Sequence, residues 1–405
     1  MKRKNNTAIV MLSCGIMGIY GFINSKAAFY NIIKLAFDFS DMQLGNIWSV
    51  YGIVSLLSYL LGGYVADRIS VKKLLILALS LAAVLHLYLS FVPGYKAMLI
   101  VAALLSLASV FTFFPASSKL LSFIGGTHSS GGVFGIYYTL AGVWNAVLTL
   151  IGTILYQNTQ DAGHTFVWLM RSYAAINMLV VIGLFFLLPD QLPESEKEKF
   201  SVSNVKTALR GREVWMIAVI TMCTYLLFCS FTYISPFLTK LYGIKEDENL
   251  IIGLIRVDGM SIIGGILFGK WANRKKSVVS VVGYGLRIAV GCSLVLFLNT
   301  LFFHNRTVTI ALIMLYSFVA IGTKSISIAM ISERRFPLQI TGTVIGVVSF
   351  IGYSPDAFFY QMMGRYFTRF DLTGYRTMFL LYLCIALIGY ICCGQIQQSV
   401  DRQPE

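Results

Sequence analysis

The sequence predicts an all-α membrane protein with twelve transmembrane helices in two pseudo-symmetric six-helix halves. Three observations predict it. The chain is apolar and poor in charge, it divides into twelve apolar runs long enough to cross a bilayer, and one short motif occurs twice at matching places.

Of 405 residues, 57% are hydrophobic and 12% are charged, with mean hydropathy +0.74. A soluble domain carries about 25% charged residues. A soluble core hiding this much apolar surface needs a far more polar shell. Apolar runs of about 20 residues read instead as membrane spans. The first run is too long for a cleavable signal peptide and is followed by no small-residue cleavage site. The net charge of +14 is spread between the apolar runs rather than gathered on one domain, so it reads as charged membrane loops and not as a nucleic-acid surface. All seven cysteines (Cys14, Cys223, Cys229, Cys292, Cys384, Cys392, Cys393) fall inside apolar runs, without metal-ligand spacing and without a disulfide framework. No cofactor is expected.

The spans run at 8–35, 44–66, 74–92, 96–121, 131–156, 165–188, 213–240, 249–271, 278–300, 307–331, 341–367 and 375–396, numbered here 1 to 12. Most connections are very short, such as "VPGY" at 92–95. The exception, "PDQLPESEKEKFSVSNVKTALRGR" at 189–212, is polar and charged and lies between spans 6 and 7. The expected organisation is therefore a six-helix bundle over 1–188, a cytoplasmic linker over 189–212 and a second six-helix bundle over 213–405.

Orientation follows from lysine and arginine. With the N-terminus inside, nineteen of the 32 bases lie on inner segments: Lys2, Arg3, Lys4, Arg68, Lys72, Lys73, Lys119, five in the linker, Lys270, Arg274, Lys275, Lys276, Arg334, Arg335 and Arg402. Nine lie on outer ends and loops: Lys34, Lys96, Arg171, Lys240, Lys245, Arg306, Arg365, Arg369 and Arg376. Basic clusters occur only inside, so both termini are expected in the cytoplasm.

After span 2 comes "GGYVADRISVKK" (62–73), and after span 8 comes "GGILFGKWANRKK" (264–276). Both contain a Gly, then three residues, then Asp or Asn, then Arg followed by basic residues: Gly63, Asp67 and Arg68, then Gly269, Asn273 and Arg274. The reading is a close helix contact at the glycine, then a charge-and-cap cluster in the turn. One copy is also what any positive-inside turn would show. Two copies at equivalent places point to a duplicated fold. Spans 5 and 11 also begin alike, "GGVFG" (131–135) and "TGTVIG" (341–346).

On these residues the chain resembles the major facilitator superfamily of transporters over nearly its whole length. The first loop resembles the family signature between helices 2 and 3, with Ser70 where Gly is usual and Val71 where Arg is usual, and the second copy has Asn273 for Asp. In the family this cluster is implicated in conformational switching, not in substrate choice. The segments "SKAAFY", "FFPASSKLL" and "SFIGYSP" are similar to a bacterial branch known loosely as sugar-phosphate or nitrate/nitrite permeases, which lends a lean toward anions. The resemblance implies a central cavity between the halves, lined by helices 1, 4, 7 and 10, flanked by 2, 5, 8 and 11, and opened alternately to each side.

The deep charges carry the rest. A cation at the centre of a bilayer helix costs about 2.5–3.5 kcal/mol on insertion scales, so each needs a reason. Lys26 stands in span 1, Lys324 in span 10, Arg256 and Asp258 in span 8, Arg287 in span 9 and Asp356 in span 11. Lys119, near the inner end of span 4, can snorkel to water. Arg287 is on a peripheral span and reads as structural. Arg256 and Asp258 are two apart, so they point to nearly opposite sides and are not expected to pair. Lys26 and Lys324 are too deep to snorkel. They meet substrate in a watery cavity, or they form structural ion pairs with Asp356 or Asp258.

Two polar and aromatic stripes favour the cavity: Ser349, Tyr353, Asp356 and Tyr360 on span 11, and Tyr138, Asn145, Thr149, Gly152 and Tyr156 on span 5. The competing reading of each is polar helix packing. Tyr30 lies one turn beyond Lys26, and Gly352 and Pro355 mark a bend beside the span 11 stripe. The candidate substrate residues are thus Lys26, Tyr30, Tyr138, Asn145, Arg256, Lys324 and Tyr353, with Asp356 and Asp258 as candidate coupling acids. Deep cations outnumber deep acids, which lowers the energy of an anion. Nitrate fits less well than a larger organic anion: the nitrate family uses an arginine on helix 2, and span 2 has none.

The expected function is a secondary transporter of a small organic anion, a sugar phosphate, sugar acid or carboxylate, by proton coupling or exchange with a counter-anion. The expected partners are that solute, protons or the counter-anion, and the lipid bilayer, with the chain acting as a monomer. A proton-driven exporter of drugs or lipids is the alternative; spans 1 to 6 lack the deep acids such proteins use. A non-transporting receptor with a transporter fold lacks a soluble domain to signal with. No nucleotide-binding loop or catalytic constellation suggests an enzyme.

Overall fold

A computed structural model describes residues 2–66, 68–189, 211–334 and 338–401. The linker positions 190–210, Asp67 and Arg335 lie outside the described residues, and of the side chains at 2–5, 60–66, 125–132, 338–343 and 398–401 nothing is said.

Every one of the twelve predicted spans falls on helix, and no strand occurs among the described residues. Among them, nine helices are long and apolar enough to cross a membrane, or ten when the bent pair Asn6–Ile19 and Gly21–Phe37 is counted as one span. Spans 11 and 12 share one continuous run, Val344–Gln397, in that count. They are joined at Asp371, whose backbone (φ 38°, ψ −118°) is not helical.

The described residues form two compact units. The first draws on Met1–Ser195, Glu246–Leu254 and Asp356–Arg365, the second on Glu196–Lys245, Ile255–Pro355 and Tyr366–Glu405.

In the first unit, span 1 bends by 52° between Ile19 and Gly21. The cause is close packing on span 6. A Cβ at Gly21 would fall 2.4 Å from the Tyr173 ring, and one at Gly18 would fall 2.5 Å from the Asn177 side chain. The bend frees the N–H of Phe22, which donates to Nε2 of buried His86 at 3.4 Å. Because Nε2 accepts, Nδ1 carries the ring proton and donates to the Ala82 carbonyl at 2.7 Å. A buried donor is thereby satisfied, and the segment Gly21–Phe37 that carries Lys26 is fixed in place.

Span 2 (Asp41–Ala66) packs on Asp356–Arg365 along a seam of small residues. A Cβ at Gly52 would fall 2.0 Å from the Asp356 carbonyl oxygen, one at Gly45 2.3 Å from that of Tyr360, and one at Gly364 2.4 Å from that of Asp41. Between the glycines, Ser49 Oγ accepts from the Gln361 N–H and Asn46 Oδ1 accepts from the Gln361 amide, both at 3.0 Å.

In the second unit, span 7 is Arg212–Cys229, a tight turn Ser230–Tyr233, and Ile234–Tyr242. Pro236 explains the break, since it removes a donor and its ring clashes with the carbonyl four residues back. Span 8 contains a π-helical turn, Ile255–Gly259, between Glu246–Leu254 and Met260–Lys275. Span 11 is Leu338–Gly352, then a turn, then the helix from Pro355; the bend expected at Gly352 and Pro355 is there. The C-terminal end of span 10 is tied twice: Glu333 accepts from Ser277 and from the Val279 N–H at 2.9 and 3.1 Å, and Arg334 forks onto Glu213, with Nε at 3.0 Å from Oε2.

The repeated motif is described only in part. Gly63 lies within the helix Asp41–Ala66, and Arg68 is exposed. At Gly269 a Cβ would meet nothing within 4 Å, so the close contact expected there is not made among the described residues. The helix packs on span 10 at Gly264, which is buried and where a Cβ would fall 3.2 Å from the Phe318 carbonyl oxygen. Asn273 and Arg274 are exposed.

Candidate functional site

In the first unit Lys26 is 8% exposed. Its Nζ stands 3.8 Å from the centroid of the Tyr360 ring and 5.8 Å from that of Trp48. The two rings meet edge to face, with centroids 6.0 Å apart. A desolvated cation over an aromatic face gains about 2 kcal/mol. Tyr30, also buried, tilts against Trp48 at 5.6 Å and donates to Asp41 at 2.5 Å, while Lys34 holds the same carboxylate at 2.7 Å.

Asp356, half-buried, occupies the first turn of the helix that begins at Pro355, where free N–H groups favour a carboxylate. On span 5, Tyr138 is exposed and meets Tyr137 edge to face at 4.9 Å, and Asn145 is half-buried. Farther along the stripe, Thr149 and Tyr156 are buried, and a Cβ at Gly152 would fall 3.0 Å from the Phe29 ring. The C-terminal half of that stripe is therefore a packing face against span 1.

In the second unit Lys324 is half-buried in the last turn of Arg306–Ile326. Its Nζ lies 4.2 Å from the Phe228 ring centroid and 5.9 Å from that of Tyr225. Tyr225 meets Tyr353 edge to face at 4.8 Å, and all three rings are half-buried. One ammonium and three partly open aromatic side chains are thus gathered from spans 7, 10 and 11.

Arg256 is fully buried, its guanidinium 5.3 Å from the Phe231 ring centroid, and Asp258 is 5% exposed on the same π-helical turn. Single π turns recur at functional positions in helices. Arg287 is exposed and donates to Tyr390 on span 12 at 2.5 Å, which suits the structural reading of that residue.

The sequence reading missed Trp48, Tyr225 and Phe228. Tyr225 and Phe228 are three apart on span 7, the spacing of one helix face, so the pattern was available. Trp48 carried no such signal, because its role depends on the position of Tyr360, far away in sequence. Among the described residues no cluster of three or more His, Cys, Asp or Glu could hold a metal ion.

Comparison with known proteins decides the family. The model of the Major Facilitator Superfamily matches residues 10–360. The chain belongs to this superfamily. It is 26% identical over 396 residues to the inner membrane protein YihN of Escherichia coli K12, covering 95% of this chain and 93% of the relative. It is 24% identical over 358 residues to the inner membrane protein YqcE of the same organism, covering 85% and 83%. Among solved structures it is similar to a bacterial homologue of the human lysosomal transporter Spinster in an inward-facing, unoccupied conformation, with TM-score 0.75, 13% identity, and 97% of each chain covered. It is also similar to the nucleoside transporter NupG, with TM-score 0.71, 12% identity, and 100% of this chain and 99% of that chain covered. At these identities the structures share the fold. The chain is an integral membrane protein with the fold of a transporter, and not an enzyme.

Proposed function

We propose that this transporter moves a small organic anion, a sugar phosphate, sugar acid or carboxylate, across the cytoplasmic membrane by alternating access, coupled to protons or to exchange of a counter-anion. Both termini lie in the cytoplasm, the chain acts as a monomer, and residues 1–188 and 213–405 form its two six-helix halves around a cytoplasmic linker. The observation that carries the reading is Lys324, an ammonium deep in its span yet only half-buried, beside half-buried Phe228, Tyr225 and Tyr353. A cation with partly open ring faces suits a solute that has one anionic group and one ring or sugar face.

Lys26 supplies the second charge, and Asn145 and Tyr138 offer polar contacts. Tyr30 and Arg256 are fully buried, so direct contact with solute requires another state of the transport cycle. Asp356 and Asp258 are the coupling candidates.

The test begins with a thermal-shift screen of small anions, since a ligand bound only by the folded state raises its stability. Affinity for the best anion is then measured on Lys26→Gln and Lys324→Gln at matched monodispersity. One charge-assisted hydrogen bond contributes about 1.5–3 kcal/mol, so each variant should bind roughly 10- to 150-fold more weakly. Lys→Arg should weaken binding less, because a planar guanidinium cannot reproduce a compact ammonium. If both Gln variants bind as tightly as the parent, the anion reading is wrong.

A further inference from the structure

The outer flank of span 8 holds a carboxyl that the proposed function leaves unused. Glu246 opens the helix Glu246–Leu254, three residues before the apolar stretch predicted from Asn249. That helix packs against Gly21–Phe37 of span 1 and against Phe114–Thr159. Glu246 Oε2 accepts a hydrogen bond from Asn31 Nδ2 at 2.7 Å. The other oxygen, Oε1, is buried and has no hydrogen-bond partner among the described residues.

An ionised carboxylate offers about four acceptor sites and no donor. The amides of Asn31 and Asn249, the latter one helical turn on, both favour the ionised form, but Oε1 receives nothing, so a full negative charge would be buried with incomplete compensation. Desolvation outweighs the two amides, and a protonated carboxyl turns Oε1–H into a donor.

The surrounding charges add to the case. Asp247 and Glu248 share the first turn, half-exposed, and like charges oppose a third carboxylate. From span 1, the ammonium of Lys34 is engaged by Asp41 at 2.7 Å. From span 5, Tyr156 faces Glu246 and Asp247 and brings no positive charge. Lys245 precedes Glu246 and is exposed. The helix N-terminus favours an anion, and Asp247 and Glu248 supply that charge where water reaches it.

We propose that Glu246 is a proton-binding site: its carboxyl carries a proton while span 1 and the flank of span 8 are joined through Asn31, and it gives that proton to water when the join opens. The O–H bond breaks, the electron pair stays on the carboxylate and the proton passes to solvent, one for each opening. This assigns a coupling acid that the proposed function does not name. It rests on the transporter reading for its consequence only, because protonation can be measured without any solute.

The experiment is an infrared pH titration of the purified, ligand-free full chain, following the C=O band of protonated carboxyl groups. The parent should keep a band that is half lost at a proton concentration at least about tenfold below that for an ordinary glutamate, and Glu246→Gln should remove that band alone. Asp356→Asn should leave it in place. Asn31→Ala should move the pH of half-loss, since a hydrogen bond to the carboxylate biases its titration; this variant decides the matter if Glu246→Gln fails to fold. A parent whose carboxyl bands are all lost in the ordinary glutamate range overturns the proposal. So does a band that survives Glu246→Gln, or a half-loss unmoved in Asn31→Ala. None of these outcomes depends on whether the solute is an anion.

Discussion

The tightest helix contact among the described residues is also the easiest to challenge. Gly52 of span 2 lies so close to Asp356–Arg365 that a Cβ would sit 2.0 Å from the Asp356 carbonyl oxygen, 2.1 Å from its carbon and 2.6 Å from the Ala357 nitrogen. All three are backbone atoms, so no side chain can swing aside, and Gly52→Ala must push two helices apart. Overpacking of this kind costs about 1–3 kcal/mol. At Gly142 a Cβ would meet nothing within 4 Å among the described residues. There Gly→Ala in a helix should gain about 0.5–1 kcal/mol. The two substitutions are chemically identical, so membrane partitioning cancels, and their difference should be about 1.5–4 kcal/mol. At about 2–4 °C per kcal/mol for a domain of 150–250 residues, Gly52→Ala should melt several degrees below Gly142→Ala. Gly45→Ala and Gly364→Ala, at 2.3 and 2.4 Å from backbone oxygens, should fall with Gly52→Ala. Tryptophan-fluorescence melting in one detergent gives the order. If Gly52→Ala melts at or above Gly142→Ala, the seam is not as close as described.

Three further expectations follow from named residues. Reporter fusions after residue 200 and after residue 400 should both report cytoplasm; a periplasmic signal from either would overturn the topology. Asp356→Asn should abolish uptake driven by a pH gradient and leave counterflow exchange intact, whereas unchanged gradient-driven uptake would make Asp356 a structural residue. Arg334→Ala removes both arms of the fork onto Glu213, whose side chains are 12% and 28% exposed, and should cost about 1–3 kcal/mol, with Arg334→Lys restoring only part; equal melting of all three proteins would count against the fork.

How much was legible depended on the range of the interaction. Span positions follow from local composition, so every predicted span falls on helix, and the bend at Gly352 and Pro355 follows from two residues whose backbone preferences are their own. The 52° bend of span 1 was not foreseen, although Gly18 and Gly21 were in view. It depends on Tyr173 and Asn177 filling the space those glycines leave, and no local pattern announces that. Gly269 depends on the same long range. A motif glycine looks like a contact point, but whether its face meets another helix is a tertiary fact. The Glu246–Asn31 bond joins residues 215 apart in sequence, and no local pattern announces it.

The two deep lysines show why their immediate partners matter for function. Burying an ammonium in a span costs about 2.5–3.5 kcal/mol, and a contact with an aromatic face returns about 2 kcal/mol when desolvated. A carboxylate can return as much or more, but it cancels the charge. An aromatic ring does not: its quadrupole attracts the cation and leaves the net charge at +1. The faces of Tyr360 and Trp48 at Lys26, and of Phe228 and Tyr225 at Lys324, therefore offset part of the cost of keeping a lysine in the membrane. On the proposed reading, the ring contact must be weak enough for an anion to replace. A charge-assisted hydrogen bond of about 1.5–3 kcal/mol is of the same size as the contact it would displace, so exchange between ring and anion is close to balanced.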